Sequence, residues 1–163
     1  YLLLKQMSQG EIEFLDSSAF MKNNKSPKSK HHRLSRIVMQ GITGVNEDVR
    51  LKMTILDKGV FCGNSVNYIL IKDSKYSEKY VLGILNSKLM NWYFKLFSTN
   101  SNVIRNWKDS LPIPLPNHGS EELISLVDKI LVITKDEDYL ANPAKQAKVK
   151  EYERQIDQMV YEL

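Results

Sequence analysis

The 163-residue chain is 42% hydrophobic and 26% charged with a net charge of +4; that is enough to bury a core, and no apolar run nears the roughly 20 residues of a bilayer-spanning helix. Its single cysteine, Cys62, excludes a disulfide framework within the chain and fits a reducing, cytoplasmic location. The charge is uneven, with 17 Lys and Arg against 9 Asp and Glu in residues 1–117 and 6 against 10 in residues 118–163, so only the first part suits a polyanion.

YLLLKQM lacks the basic flank and small-residue cleavage site of a secretory signal, and a start at Tyr1 without methionine reads as part of a longer protein. EIEFLD, residues 11–16, alternates like a half-buried strand. NNKSPKSKHHRLSR gathers Lys25, Lys28, Lys30, Arg33 and Arg36 around Pro27 with almost no apolar anchor, the pattern of a mobile basic loop. RIVMQGITG is a β-branched run closed by glycine. Residues 50–56 and 60–62 are expected to form a hairpin around Asp57-Lys58-Gly59. Val66–Ile71 is apolar on both faces and reads as a central strand.

Ser77 can cap a single helix running to Phe97, with Val81, Leu85, Leu89, Trp92 and Leu96 at helical steps and most of its surface buried. LPIPLPN, with Pro112, Pro114 and Pro116, is extended and stiff, a linker. Ser120 is placed to cap the next helix, and Asn142-Pro143 starts another. Val149, Tyr152, Ile156, Met159 and Leu163 form a heptad-like seam facing Leu123, Leu126, Val127, Ile130 and Leu131. The seam still runs at the last residue, as if the element continued. The expected fold class is α+β: a mixed-sheet globule with a buried helix over residues 1–110, a proline-rich linker over 111–117 and a helical hairpin over 118–163.

Catalytic patterns are sparse. Gly41, Gly44, Gly59 and Gly63 lack the spacing of a phosphate-cradling loop. His31, His32, His118 and Cys62 make a poor metal set, and no histidine is placed by sequence to activate Cys62. Glu47, Asp48 and Asp57 do not form a nuclease cluster with a following lysine. What stands out is the polar block Ser98-Thr99-Asn100-Ser101-Asn102 behind an apolar helix. It reads either as a helix-ending loop or as a set of amides and hydroxyls suited to base edges, asparagine matching adenine.

RIVMQGIT, LDKGVFCGNSVNYILIKD, YVLGILNSKLMNWYFKLFSTNSN, LPIPLP and YERQIDQMVYEL, in that order, resemble the TaqI-like C-terminal specificity domain over roughly residues 36–163. The resemblance implies a DNA target-recognition module of adenine-specific methyltransferases, especially fused Type IIG restriction-modification enzymes, similar in plan to Type I specificity subunits. It further implies an upstream methyltransferase domain that binds S-adenosylmethionine, with no catalytic residue, metal or cofactor in this chain. The sequence departs from the family after STNSN, where Val103-Ile104-Arg105-Asn106-Trp107 replaces a glycine-tyrosine type of continuation.

Under that reading Lys25, Lys28, Lys30, Arg33, Lys52 and Lys108 are phosphate contacts on double-stranded DNA. Gln40, Thr43, Asn46, Arg50, Thr99, Asn100, Asn102 and Arg105 are candidates for base edges. The alternative is a protein-interaction module whose hairpin seam, Val149 to Leu163, docks a methyltransferase or nuclease subunit or a second copy.

Overall fold

Strand β1, Arg36–Gln40, has four consecutive buried residues because both of its faces and both of its edges are covered. In the computed structural model, which describes residues 17–63, 65–98 and 111–163, it is flanked by β2 (Met53–Leu56) and β3 (Val66–Ile69) in the order β2-β1-β3. Ile37 lies between Ile55 and Ile69, and Met39 between Met53 and Asn67, in antiparallel register. The fold is α+β as expected, and every pairing among the described residues is antiparallel. The strand expected at residues 11–16 lies outside the described residues.

Two expectations about strand order fail. Gly59 does turn the chain after β2, with φ +91°, but residues 60–63 form no returning strand; the chain crosses to the far side of β1 and becomes β3. β3 is therefore an outer strand of this sheet and β1 is the central one. A turn residue fixes where the chain reverses, and the partner is chosen by which apolar strand can be covered on both sides.

The expected helix over 77–97 is two helices, α2 (Glu78–Leu85) and α3 (Lys88–Phe97), each opened by a serine cap: Ser77 Oγ accepts from Tyr80 N, and Ser87 Oγ from Met90 N. At the break, Asn86 turns its side chain onto β2, accepting from Met53 N and donating to Met53 O, both at 3.0 Å. Asn91 repeats the device one turn later. Its Oδ1 accepts from Arg50 N and Leu51 N, and its Nδ2 donates to Asp48 O. Primary amides thus stand where a further strand would pair. Trp92, Leu96 and Phe97 are more than half exposed, so α3 is less buried than its composition implied.

Helix α4 (Ser120–Lys135) begins at Ser120 itself, one residue earlier than a Ser120 cap would place it. Gly119 is the capping position, and Ser120 Oγ instead accepts from Asn117 N at 2.8 Å. Asn142 caps α5 (Pro143–Glu162) as expected, accepting from Lys145 N. The two helices form the anticipated antiparallel hairpin. Its buried row is Val149, Ile156 and Val160, with Tyr152 and Met159 half-buried and Leu163 41% exposed, so the seam does not extend to Leu163. Leu123, Leu126, Val127, Ile156 and Val160 share one continuous core with Ile37, Leu51, Tyr80 and Leu85. The proline segment lies on this core through Leu111 and Ile113, and Tyr80 Oη donates to Pro114 O.

Two of the contacts between hairpin and globule are especially close-fitting. Gly83 faces α4 so closely that a Cβ there would lie 2.6 Å from Leu123 Cδ2 and 3.0 Å from Val127 Cγ2. Asp157, 9% exposed, accepts from Lys88 N at 2.8 Å with one oxygen and pairs with Lys88 Nζ at 3.3 Å with the other. A carboxylate from α5 therefore caps the positive end of α3.

Gly83→Leu is expected to destabilise the fold by about 1–3 kcal/mol through overpacking, seen as a lower urea midpoint with unchanged slope. Asp157→Ala should lose about 1–2 kcal/mol. Lys88→Met keeps the backbone donor and discards only an exposed ammonium, so it should cost about 0.5 kcal/mol or less. Equal losses in the two would refute the capping role.

Candidate nucleic-acid interface

From Ser17 to Asn46 the chain contains no Asp or Glu. Within that stretch α1 (Ser17–Asn23) is followed by a 3-10 helix, Pro27–Arg33, capped by Ser26 and begun by Pro27. The segment takes up a 3-10 helix where a loop was expected, and its two histidines anchor it. His31 Nδ1 lies 2.9 Å from Tyr68 Oη on β3. The His32 ring stacks on Phe61 at 4.3 Å, and Gly59 N donates to His32 O at 2.8 Å. His32 Nδ1 donates back to Ser29 O, a carbonyl being able only to accept. Both histidines use Nδ1 in these contacts.

Lys25, Lys28, Lys30 and Arg33 are all exposed on this pinned segment. Arg36, next in the basic run, is buried: its guanidinium lies over the Tyr68 ring and donates to Val60 O. Cys62 sits nearby, half-buried, and burial pushes its thiol up more than the Arg36 charge draws it down. That is the environment of a space-filling thiol rather than of a nucleophile.

At the opposite end of β1 lie the other candidates. Gln40 and Asn46 are exposed, but Thr43 is 6% and Arg50 1% exposed. Arg50 Nη1 donates to Ser98 O at 2.5 Å, its Nε reaches Thr43 Oγ1 at 3.4 Å, and the guanidinium lies 5.2 Å from the centre of the Phe94 ring. Thr43 and Arg50 are therefore interior residues and do not reach base edges as placed. Lys52 pairs with Glu47 at 2.8 Å, which draws the Glu47 carboxyl below its usual range. Both partners are half exposed, so the pair is weak, but Lys52 already has a carboxylate beside it. Thr99, Asn100, Asn102, Arg105 and Lys108 lie outside the described residues.

The basic segment and the 40–50 loop are not neighbours. They occupy opposite ends of a strand whose four steps span about 13 Å at ~3.3 Å each. The polar loop is nevertheless firmly rooted. Gly41 N donates to Ser65 O at 2.7 Å, so close that a Cβ on Gly41 would meet that oxygen at 2.8 Å. Lys95 Nζ donates to Glu47 O, and Asn91 Nδ2 to Asp48 O. Ile42 and Val45 stand exposed beside Asn46, a feature the sequence reading missed because apolar residues next to a strand look like core.

A cleft of about 840 Å³ between β2 and the hairpin is lined by Lys52, Lys88, Lys150, Arg154, Glu153 and Asp157 among others. Three of its four cations, Lys52, Lys88 and Arg154, each face a carboxylate. Among the described residues no group of three or more His, Cys, Asp or Glu is placed to hold a metal, and no helix is long and apolar enough to cross a membrane.

The sequence model of the TaqI-like C-terminal specificity domain covers residues 9–113. No curated protein matches the chain. The match begins earlier than the resemblance read from motifs and ends at Ile113, so α4, α5 and the YERQIDQMVYEL motif lie beyond it. Within it fall the acid-free basic segment, the sheet and the α2–α3 pair, and it spans well over half of the sequence: the chain belongs to the TaqI-like C-terminal specificity domain family, a family of DNA-recognition domains.

Proposed function

We propose that this chain reads duplex DNA sequence-specifically on behalf of a restriction-modification enzyme, with an adenine-specific methyltransferase carried elsewhere in the same protein. The observation that supports it most is the acid-free basic segment, pinned to the sheet through His31 and His32 inside the family-matched region. Lys25, Lys28, Lys30 and Arg33 then contact phosphates, releasing condensed counterions and fixing register. Gln40 and Asn46 address base edges from the other end of β1. One part can then grip a backbone while the other enters the groove.

In this proposal the reaction belongs to the partner domain, which holds S-adenosylmethionine and receives the flipped adenine, in the cytoplasm as a fused Type IIG arrangement. The chain supplies no catalytic group. Thr99, Asn100, Asn102 and Arg105 remain assigned to base edges and Lys108 to phosphate on sequence grounds. A second reading, docking through the hairpin, draws on the exposed Val132, Leu140 and Tyr161, which lie beyond the family match.

Salt separates the two. Binding of a duplex pool should fall steeply with salt, and Lys30→Gln and Arg33→Gln should each reduce the logarithmic slope by about 0.9 while weakening all sequences alike. Asn46→Ala should instead weaken only the preferred sequence, by roughly 1–3 kcal/mol. A salt-insensitive interaction, unchanged in all three variants, would leave the docking reading in its place.

A further inference from the structure

Arg50 calls for explanation, because a guanidinium that is 1% exposed is an expensive way to fill a core. Apolar residues of similar volume are commonly as stabilising or more so, which makes a buried cation weak support for stability and better support for fixed geometry. Its contacts say which geometry. Nε reaches Thr43 on the outgoing limb of the 41–49 loop, Nη1 donates to the Ser98 carbonyl at the end of α3, and the Phe94 ring lies beneath. The backbone N–H of Arg50, on the returning limb, donates to Asn91 of α3. One residue therefore joins both limbs of the loop to the helix.

The side chains of this loop divide sharply into exposed and interior. Ile42, Val45 and Asn46 are exposed, whereas Thr43 and Arg50 are interior. A loop of this build presents an amide and two aliphatic side chains on a rigid base, a surface able to meet an adenine edge and a thymine methyl. In sequence, Ser98 directly precedes Thr99 and Asn100.

Resting on the DNA-reading function proposed above, we propose that Arg50 is a positioning residue for base discrimination: buried beneath the 41–49 loop, it holds Asn46 and its neighbours in register with the end of α3 without touching DNA. Discrimination then depends on Arg50, while the phosphate grip of Lys28, Lys30 and Arg33, at the other end of β1, does not.

The test uses the full 163-residue chain. A duplex pool with a randomised core is enriched on the wild type, and affinities for the best-enriched duplex and for the unselected pool are measured at two salt concentrations. Arg50→Met, which keeps volume against Phe94, is expected to bind the unselected pool within about twofold of wild type with an unchanged salt slope, and to lose discrimination by about tenfold or more. Arg50→Lys should recover part of it by reaching the Ser98 carbonyl. A general loss of folded protein would lower both affinities together, so their ratio reports positioning. A folded Arg50→Met with undiminished discrimination overturns the inference. If that variant does not fold, Thr43→Val decides: reduced discrimination supports the inference, and wild-type discrimination overturns it. A wild type that binds all duplexes alike overturns the DNA-reading function, and the inference falls with it.

Discussion

The architecture turns on one small arrangement, the paired hydrogen bonds between the Asn86 side chain and both backbone groups of Met53. An outer strand leaves alternate N–H and C=O groups without a ladder partner, and leaving such groups buried and unpaired costs on the order of 1–3 kcal/mol each. Asn86 can reach them only because the helix stops there. The stop in turn frees Ser87 to begin α3, and the new helix start is completed by Asp157 from α5. Strand edge, helix break and hairpin docking are consequently one arrangement.

The electrostatic layout follows from the same framework. β1 is anchored centrally, so whatever precedes it is carried to one end of the sheet and whatever follows it to the other. The basic 3-10 helix precedes and the 41–49 loop follows. Separation of charge from amide is thus imposed by the order of elements. Near the loop the Glu47 carboxylate pairs with Lys52 and the Asp48 backbone carbonyl accepts from Asn91 of α3, whereas the cations Lys25, Lys28, Lys30 and Arg33 have no carboxylate within their own segment.

Local signals were legible in the sequence. Ser77 and Asn142 act as caps, Gly59 takes a positive φ, β1 and β2 fall in the apolar runs, and α4 and α5 pair as their spacing implied. What escaped depends on tertiary partners. Nothing local marks Asn86 as a strand-edge mimic, because its partner lies 33 residues away. Arg50 looked like a surface cation, since charge predicts exposure until a carbonyl, a hydroxyl and an aromatic face converge on it. The basic stretch looked mobile because its anchors were histidines, whose partners Tyr68 and Phe61 are also distant in sequence. The division into globule, linker and hairpin came from proline punctuation, while packing runs through all three parts.

That shared packing bears on how such modules can be exchanged. The family match ends at Ile113, yet Gly83 is fitted to Leu123 and Val127, and the amino end of α3 is closed by a carboxylate supplied 69 residues later. A graft cut at the limit of that match would carry away the reading surface but leave behind the wall it leans on. The packed unit extends past the matched one, and transplanting one specificity for another means moving the hairpin as well.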